Sequence, residues 1–372
     1  MEDKELFLKE QIITYLGNKR KIIPMIDEIF RENTKSNIPF TFLDGFSGSG
    51  VVSRLAKTQP NISQLISNDW EYYSFCLNSC YLQNISKDSQ INKNIQNAID
   101  WCNLNKYQAS NTNYIYSNYS PMNDESIEKN ERVYFTSKNA KLIDMYRTNI
   151  DMFDEYEKYY LLAPLLYESS IHNNTCGYFN SFYKHEGVGK FGGKNKNDLQ
   201  RICGEISLKY PVFFNNPHCD VQVCQKNVID LVENVNVDIA YFDPPYNKHP
   251  YGTYYFMLNT IAKWEKDVPI PHNFRGQSND WKRSRFNSFT YSELEFDNLI
   301  AKTKAHQIWI SYNNVGLIKI ENIQKILAKY GTFIQKDFNH ATYEKLLGQG
   351  KKFREKTTPT VKESFFILNK KR

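Results

Sequence analysis

The segment Phe40-Thr41-Phe42-Leu43-Asp44-Gly45-Phe46-Ser47-Gly48-Ser49-Gly50 reads as a short buried strand that ends on a carboxylate and then turns through three glycines. Val51 to Lys57 returns to helical spacing, so the whole is a strand, glycine turn, helix unit. A second unit follows, in which Leu65-Ile66-Ser67 ends at Asn68-Asp69 and Glu71 to Leu82 is helical in pattern. Two such units in series predict a parallel sheet with ligands at its carboxyl edge. Upstream, Ile22, Ile23, Ile26, Ile29 and Phe30 fall on one face of an amphipathic helix.

From about position 84 to 218 the pattern turns polar, rich in Asn and Tyr, with a helical core at Glu155 to Ser169 and a glycine-basic loop at His185 to Asn197. This stretch reads as an insertion. Strand alternation resumes at Val221 to Cys224, a helix runs through Val228 to Val232, and the buried strand Asp238 to Phe242 leads into Asp243-Pro244-Pro245-Tyr246. Further strands are expected at Gln307 to Ser311, Phe333 to Lys336 and Glu363 to Leu368. The expected organisation is an α/β sheet domain in two parts, 1–83 and 219–372, around an inserted, mainly helical region, 84–218.

Composition narrows the class. With 372 residues, 41% hydrophobic, the chain can bury one large core or two modest ones, which rules out wholesale disorder and a disulfide-stapled miniprotein. No apolar run approaches the ~20 residues that span a bilayer, and Met1-Glu2-Asp3-Lys4-Glu5 lacks a signal-peptide layout, so a cytoplasmic protein without membrane contact is expected. The net charge of +6 permits an acidic partner without demanding one. The seven cysteines are odd in number and contain no CxxC, and Cys76 and Cys80 lack companion ligands, so reduced thiols and no metal are expected. A dinucleotide GxGxxG fails at Ser53, and a Walker A reading of the Gly187 to Lys194 loop fails at Val188 and Asn195.

The chemistry-bearing residues lie at strand ends. The Asp44 to Gly50 turn allows a flat ligand close approach, and Asp69 is suited to ribose hydroxyls. Two prolines after a buried strand fix an extended path and remove two N–H groups, leaving carbonyls without local partners. Asp243 and the Pro244 carbonyl would then hold the two hydrogens of an exocyclic amine, favouring a nucleophilic nitrogen, while Tyr246 supplies a stacking face worth ~1–3 kcal/mol per base.

On these residues the chain resembles the D12 class of DNA N6-adenine methyltransferases, which includes the Dam-type enzymes. Tyr15-Leu16-Gly17-Asn18-Lys19-Arg20-Lys21-Ile22 is similar to the family's N-terminal cofactor motif, Asp44 to Gly50 to its FxGxG motif, and Asp243 to Tyr246 to its DPPY motif, in the family's order. Further similar segments are Glu131 to Ile150, Asn174 to Tyr178, Phe182 to Lys184, Tyr255 to Ala262, Ser311 to Ile318 and Val361 to Leu368. The resemblance implies S-adenosylmethionine as methyl donor, a doubly wound, mostly parallel, Rossmann-like methyltransferase sheet, and a target-recognition region within the insert. It assigns cofactor contacts to Tyr15, Lys19, Asp44, Phe46, Gly48, Gly50, Asp69 and Asp243, and catalysis to Asp243, Pro244, Pro245 and Tyr246. Two departures stand out: Asn227 replaces a frequent Asp, and Asn247-Lys248-His249-Pro250-Tyr251 leaves the roles of Lys248 and His249 open.

The expected function is site-specific methylation of adenine N6 in double-stranded DNA, with the base flipped and the methyl transferred directly, without metal. A modification enzyme of a restriction-modification system is implied, with its cognate endonuclease a separate protein. Cytosine N4 is the alternative amine, disfavoured by Asp rather than Ser before Pro-Pro; an idle DNA-binding protein is the alternative without chemistry. Candidate duplex contacts are Lys184, Lys190, Lys194 and Lys196 in the insert, Lys282, Arg283 and Arg285 after Trp281, and the tail Lys351, Lys352, Arg354 and Lys356.

Overall fold

A computed structural model describes residues 2–35, 37–108, 112–278, 281–340 and 361–371; the tail residues Lys351, Lys352, Arg354 and Lys356 lie outside these. The strands are β1 (Phe40–Asp44), β2 (Ile62–Asn68), the short hairpin β3 (Lys184–His185) and β4 (Val188–Gly189), then β5 (Asp220–Cys224), β6 (Asn236–Phe242), β7 (Lys304–Asn313), β8 (Gly331–His340) and β9 (Val361–Lys370). All but the hairpin form one seven-stranded sheet in the order β5-β2-β1-β6-β7-β9-β8. The pairs from β5 to β7 are parallel, and β9 lies antiparallel between β7 and β8.

The strand order reverses between β1 and β6, which is where open α/β sheets bind ligands outside the carboxyl ends. In that pair Asp44 is opposite Tyr241, so Asp243 emerges two residues further along the same edge. The Gly45 amide donates to the Tyr241 carbonyl at 2.9 Å, closing the pairing where both chains leave the sheet.

Both faces are covered, as the continuous apolar runs require. On one face Ile26, Ile29 and Phe30 from the helix Ile23–Asn33 pack on Phe42, Trp309 and Phe365, with Phe30 edge-on to Trp309 at 4.8 Å. On the other, Val228 and Leu231 join Leu43, Phe242, Ile310 and Phe366. A third core lies in the insert, on the helices Ser137–Ile150 and Glu155–Ile171. It also takes in Tyr73, Cys76 and Cys80 from the helix Tyr72–Tyr81 and Tyr255, Ile261 and Trp264 from beyond β6, so this core extends past positions 84 and 218. Burial there pushes the Cys76 thiol up to about 12, which suits an inert core residue.

The Asn-rich stretch is more regular than its composition suggests. In the helix Gln90–Leu104, Ile95, Ala98, Ile99 and Cys102 form a buried stripe, and Ser89 caps the Asn92 amide at 3.1 Å. Asn94 and Asn97 lie on the outer face, where helix propensity costs only tenths of a kcal/mol per residue, while Asn92 is buried and Asn103 turns inward to the Leu208 carbonyl.

The N-terminal segment is fastened by a buried cation. Arg54, on the helix Val51–Lys57, donates to the carbonyls of Phe7 and Glu10 at 2.8 Å and of Gln11 at 3.2 Å. Its guanidinium lies 4.5 Å from the Tyr81 ring centre and 5.2 Å from that of Phe7. Arg54→Met keeps the bulk but strands three carbonyls, and the expected loss is about 3 kcal/mol of unfolding free energy, read by urea denaturation.

Candidate active site

The glycine turn is built on Asp69. Its Oδ2 accepts from the Gly48 amide at 2.7 Å and its Oδ1 from the Glu71 amide at 2.8 Å, so one carboxylate ties the end of β2 to the turn after β1. Ser74 donates to the Gly48 carbonyl at 2.6 Å from below. Gly48 has φ +50°, and a Cβ there would come within 2.7 Å of the Tyr15 ring, so the turn and that ring demand a residue without a side chain. Burial raises the Asp69 carboxyl, opposed by those two amides.

Asp44 closes β1 almost fully buried. Its Oδ2 accepts from Ser53 at 2.7 Å, and the Ser53 and Ser67 hydroxyls lie 2.9 Å apart. Its Oδ1 is buried with no donor among the described residues, and burial pushes the carboxyl up to about 7. Ser53, the residue that breaks the dinucleotide pattern, is therefore the partner of this acid.

Beside it lies a buried ionic cluster. The Lys19 ammonium donates to Asp243 Oδ2 at 3.0 Å, to Glu363 Oε1 at 2.9 Å and to the Gly17 carbonyl at 3.1 Å. Glu363 Oε1 also accepts from Ser311 at 2.9 Å. Asp243 Oδ1 is buried and lacks a donor among the described residues; burial raises its carboxyl and Lys19 holds the rise back. Tyr246 is 8% exposed, with Lys19 5.5 Å from its ring centre and Tyr312 edge-on at 6.1 Å.

Tyr15 is sandwiched between Tyr251 (5.1 Å, 13°) and Tyr255 (5.0 Å, 8°). Tyr251 donates to the Leu16 carbonyl at 3.1 Å, and the Leu16 amide donates to the Tyr255 hydroxyl at 2.7 Å. The N-terminal motif is thus clipped to the chain after Tyr246. Phe46 meets Phe242 and Phe286 edge-on, leaving it on the wall of a cavity shared with Tyr15, Asp69, Asp243, Pro245 and Lys282.

The fold therefore gathers Tyr15, Lys19, Asp44, Phe46, Gly48, Asp69, Asp243, Pro245 and Tyr246 at one sheet edge; Gly50 caps the following helix at φ +78°, and Pro244 is buried within the motif. Glu363, Ser311, Tyr251 and Tyr255 lie in segments singled out from the sequence, but none of them was given a site role there. A lone acid opening the apolar run Ser364-Phe365-Phe366-Ile367-Leu368 was the signal for Glu363.

The basic candidates are spread out. Lys194 and Lys196 are exposed, Lys190 is half-buried, and Lys184 lies over the Phe274 ring at 3.1 Å from its centre. Their loop is organised by the buried Asn174, whose side chain donates to the carbonyls of Val133 and Lys190 and accepts from the Gly192 amide at 3.0 Å. Lys282 lines the cavity 6.0 Å from the Trp70 ring centre, Arg283 is exposed, and Arg285 pairs with Glu295 at 3.5 Å. Asn227 caps the helix Val228–Asn234 by accepting from the Ile229 amide at 3.0 Å. His249 lies edge-on to Tyr254, its pKa pushed down by burial and by Lys248 and Arg275.

The sequence profile of the D12 class N6 adenine-specific DNA methyltransferase family matches residues 15–326, a span holding both strand-end motifs and the insert. The chain belongs to this family. Over 330 residues it is 30% identical to the Type II methyltransferase M.NlaIII of Neisseria lactamica, covering 86% of this chain and 89% of that protein. It is 27% identical to M.CviAII of Paramecium bursaria Chlorella virus 1, with 86% and 89% covered. It is 29% identical to M.FokI of Planomicrobium okeanokoites over 85% of this chain but only 47% of that longer protein. The methyltransferase thus acts on DNA, and membership favours adenine N6 over the cytosine alternative; methyltransferases of this kind generally use S-adenosylmethionine. Among the described residues no helix is long and apolar enough to cross a membrane.

One glycine couples the two motifs of this methyltransferase. Gly17 has φ +76°, and a Cβ there would fall 1.6 Å from the Tyr246 hydroxyl. Gly17→Ala is expected to lower single-turnover methyl transfer by roughly a hundredfold, as a shift of about 1 Å at reacting groups does, with an unchanged circular dichroism spectrum.

Proposed function

We propose that the methyltransferase extrudes one adenine from duplex DNA and moves a methyl group from S-adenosylmethionine to its N6, with Asp243 holding the amine. The observation that carries this is a pair of carboxylate oxygens, Asp44 Oδ1 and Asp243 Oδ1, buried at the sheet's switch point with no donor among the described residues. A buried acceptor left unpaired costs ~1–3 kcal/mol, so both suit ligand groups that donate hydrogen bonds. The residues fit a cationic nucleoside: Asp44 for its ammonium, Asp69 for ribose hydroxyls, and Tyr15 and Phe46 for flat contact, whereas the three N–H groups of Lys19 are taken by Asp243, Glu363 and the Gly17 carbonyl. When bound, the cofactor supplies an electrophilic methyl on a sulfonium that leaves as a neutral thioether.

The remaining work falls to the chain. Asp243 and the Pro244 carbonyl accept the two amine hydrogens, keeping the nitrogen lone pair out of the ring. Asp243 serves only when ionised, and the proton can leave late because N6 becomes acidic as the new bond forms. Extrusion costs a few kcal/mol, offset by stacking on Tyr246 and by those hydrogen bonds. Target reading falls to the inserted region 84–218, and relatives named modification methylases support a protective role beside a separate endonuclease.

Asp44→Asn should weaken S-adenosylmethionine binding roughly tenfold by calorimetry without DNA. Asp243→Asn should leave that affinity intact and cost transfer about 3 kcal/mol. Unchanged cofactor affinity in the first variant, or near wild-type transfer in the second, overturns the assignment. Neutralising Lys190 and Lys194 together should weaken binding to all duplexes and flatten the log-log salt dependence by roughly 0.9 for each phosphate no longer neutralised, leaving the methylated sequence unchanged in modification-sensitive sequencing.

A further inference from the structure

A cation buried against the catalytic acid raises a difficulty that the fold answers. If Lys19 paired with Asp243 alone, the pair would be neutral and Asp243 a poor acceptor for a nitrogen that turns cationic. Lys19 is instead shared between Asp243 at 3.0 Å and Glu363 at 2.9 Å, so two carboxylates face one ammonium and the group carries a net negative charge. Glu363 is 3% exposed and cannot swing away. It stands on β9 opposite Asn313, and Ser311 on β7 donates to the same oxygen that meets Lys19. The consequence for Asp243 is directional: Lys19 occupies Oδ2, and Oδ1 has no donor among the described residues.

We propose that Glu363 is a positioning residue for methyl transfer, holding Lys19 on one oxygen of Asp243 and leaving the other, with undiminished negative charge, for the adenine amine. This rests on the reading that Asp243 binds that amine. In the reaction the N6 lone pair forms the N–C bond, the C–S pair stays on sulfur, and N6 is positive until its proton passes to Asp243 or water. The negative triad stabilises that charge where a neutral pair would do so less.

The titratable groups facing Asp243 are Lys19 from the N-terminal motif, Asp44 from β1, Tyr241 from β6, Tyr251 from the chain after Tyr246, Tyr312 from β7 and Glu363 from β9. Burial pushes the three tyrosines up, so they stay neutral and Lys19, Asp44 and Glu363 set the field. Glu363 raises the Asp243 carboxyl, and removing its charge lowers it. Asp243 is active when ionised, so activity is lost as pH falls, and that acidic limb must move to lower pH in a Glu363→Gln variant.

Glu363→Gln keeps an acceptor for Ser311 and Lys19 and removes only the charge. The test is single-turnover transfer from the preformed ternary complex across pH, with isotope-edited infrared titration of the Asp243 carboxyl in the protein alone. The expected result is a roughly tenfold to hundredfold slower plateau, both midpoints moved to lower pH, and cofactor and duplex affinities within about twofold. A wild-type rate overturns the proposal, as do a slower rate with unmoved midpoints and a loss explained by weaker cofactor binding. Should that variant fail to fold, Ser311→Ala leaves every charge in place and loosens Glu363; a loss of about threefold is expected, and a wild-type rate overturns the proposal. Wild-type turnover on adenine checks the underlying reading separately, and the infrared titration, which needs no substrate, decides for Glu363 in either case.

Discussion

The sharing of one buried ammonium between Asp243 and Glu363 is the constraint around which the candidate site at the sheet edge is arranged. A lysine taken out of water costs several kcal/mol unless its charge is met, and the same holds for each carboxylate. Lys19, Asp243 and Glu363 meet one another's need only when three distant parts of the chain arrive together: the N-terminal motif, the end of β6 and the start of β9. The insertion of β9 antiparallel between β7 and β8 is what delivers Glu363, since its register sets Asn313 opposite Glu363 and Phe365 opposite Ser311.

The other elements keep that arrangement in place. Arg54 binds the Phe7 and Glu10 carbonyls at the end of the helix Glu2–Lys9, and the Tyr251, Tyr15 and Tyr255 stack grips the chain just before Gly17, so Lys19 projects from a segment held at both ends. Asp69 spends an oxygen on each of two backbone amides, which makes the glycine turn a rigid shelf. Asp44 and Asp243 each keep one oxygen with no donor among the described residues, an arrangement that suits a ligand that donates to them. Rigid packing beside incomplete polar pairing is the usual mark of a preorganised site.

The insert serves the same edge from outside. Its core is continuous with Tyr73 before it and Tyr255 after it, so the region that carries the Asn174-braced basic loop is anchored to the helix behind the glycine turn and to the chain behind Tyr246. The basic loop is therefore joined to the sheet edge through packed side chains rather than across a flexible linker.

The sequence alone determined the features whose physics is local. Short apolar runs marked β1, β2 and β6, glycines marked the turn after Asp44, and the prolines after Asp243 marked a strand end, because φ restrictions and side-chain period act over a few residues. Helices such as Gln90–Leu104 were hidden because Asn stands there on both faces, buried at Asn92 and exposed at Asn94 and Asn97, and so blurs the apolar stripe. Asp69 was legible as a strand-end acid, whereas its grip on the Gly48 and Glu71 amides was not. Only the tertiary structure decided that Ser53 meets Asp44, that Arg285 turns to Glu295 while Lys282 lines the cavity, and that Glu363 reaches Lys19. Those are pairings across long sequence separations, and a buried charge reveals its partner only when the sheet order is known.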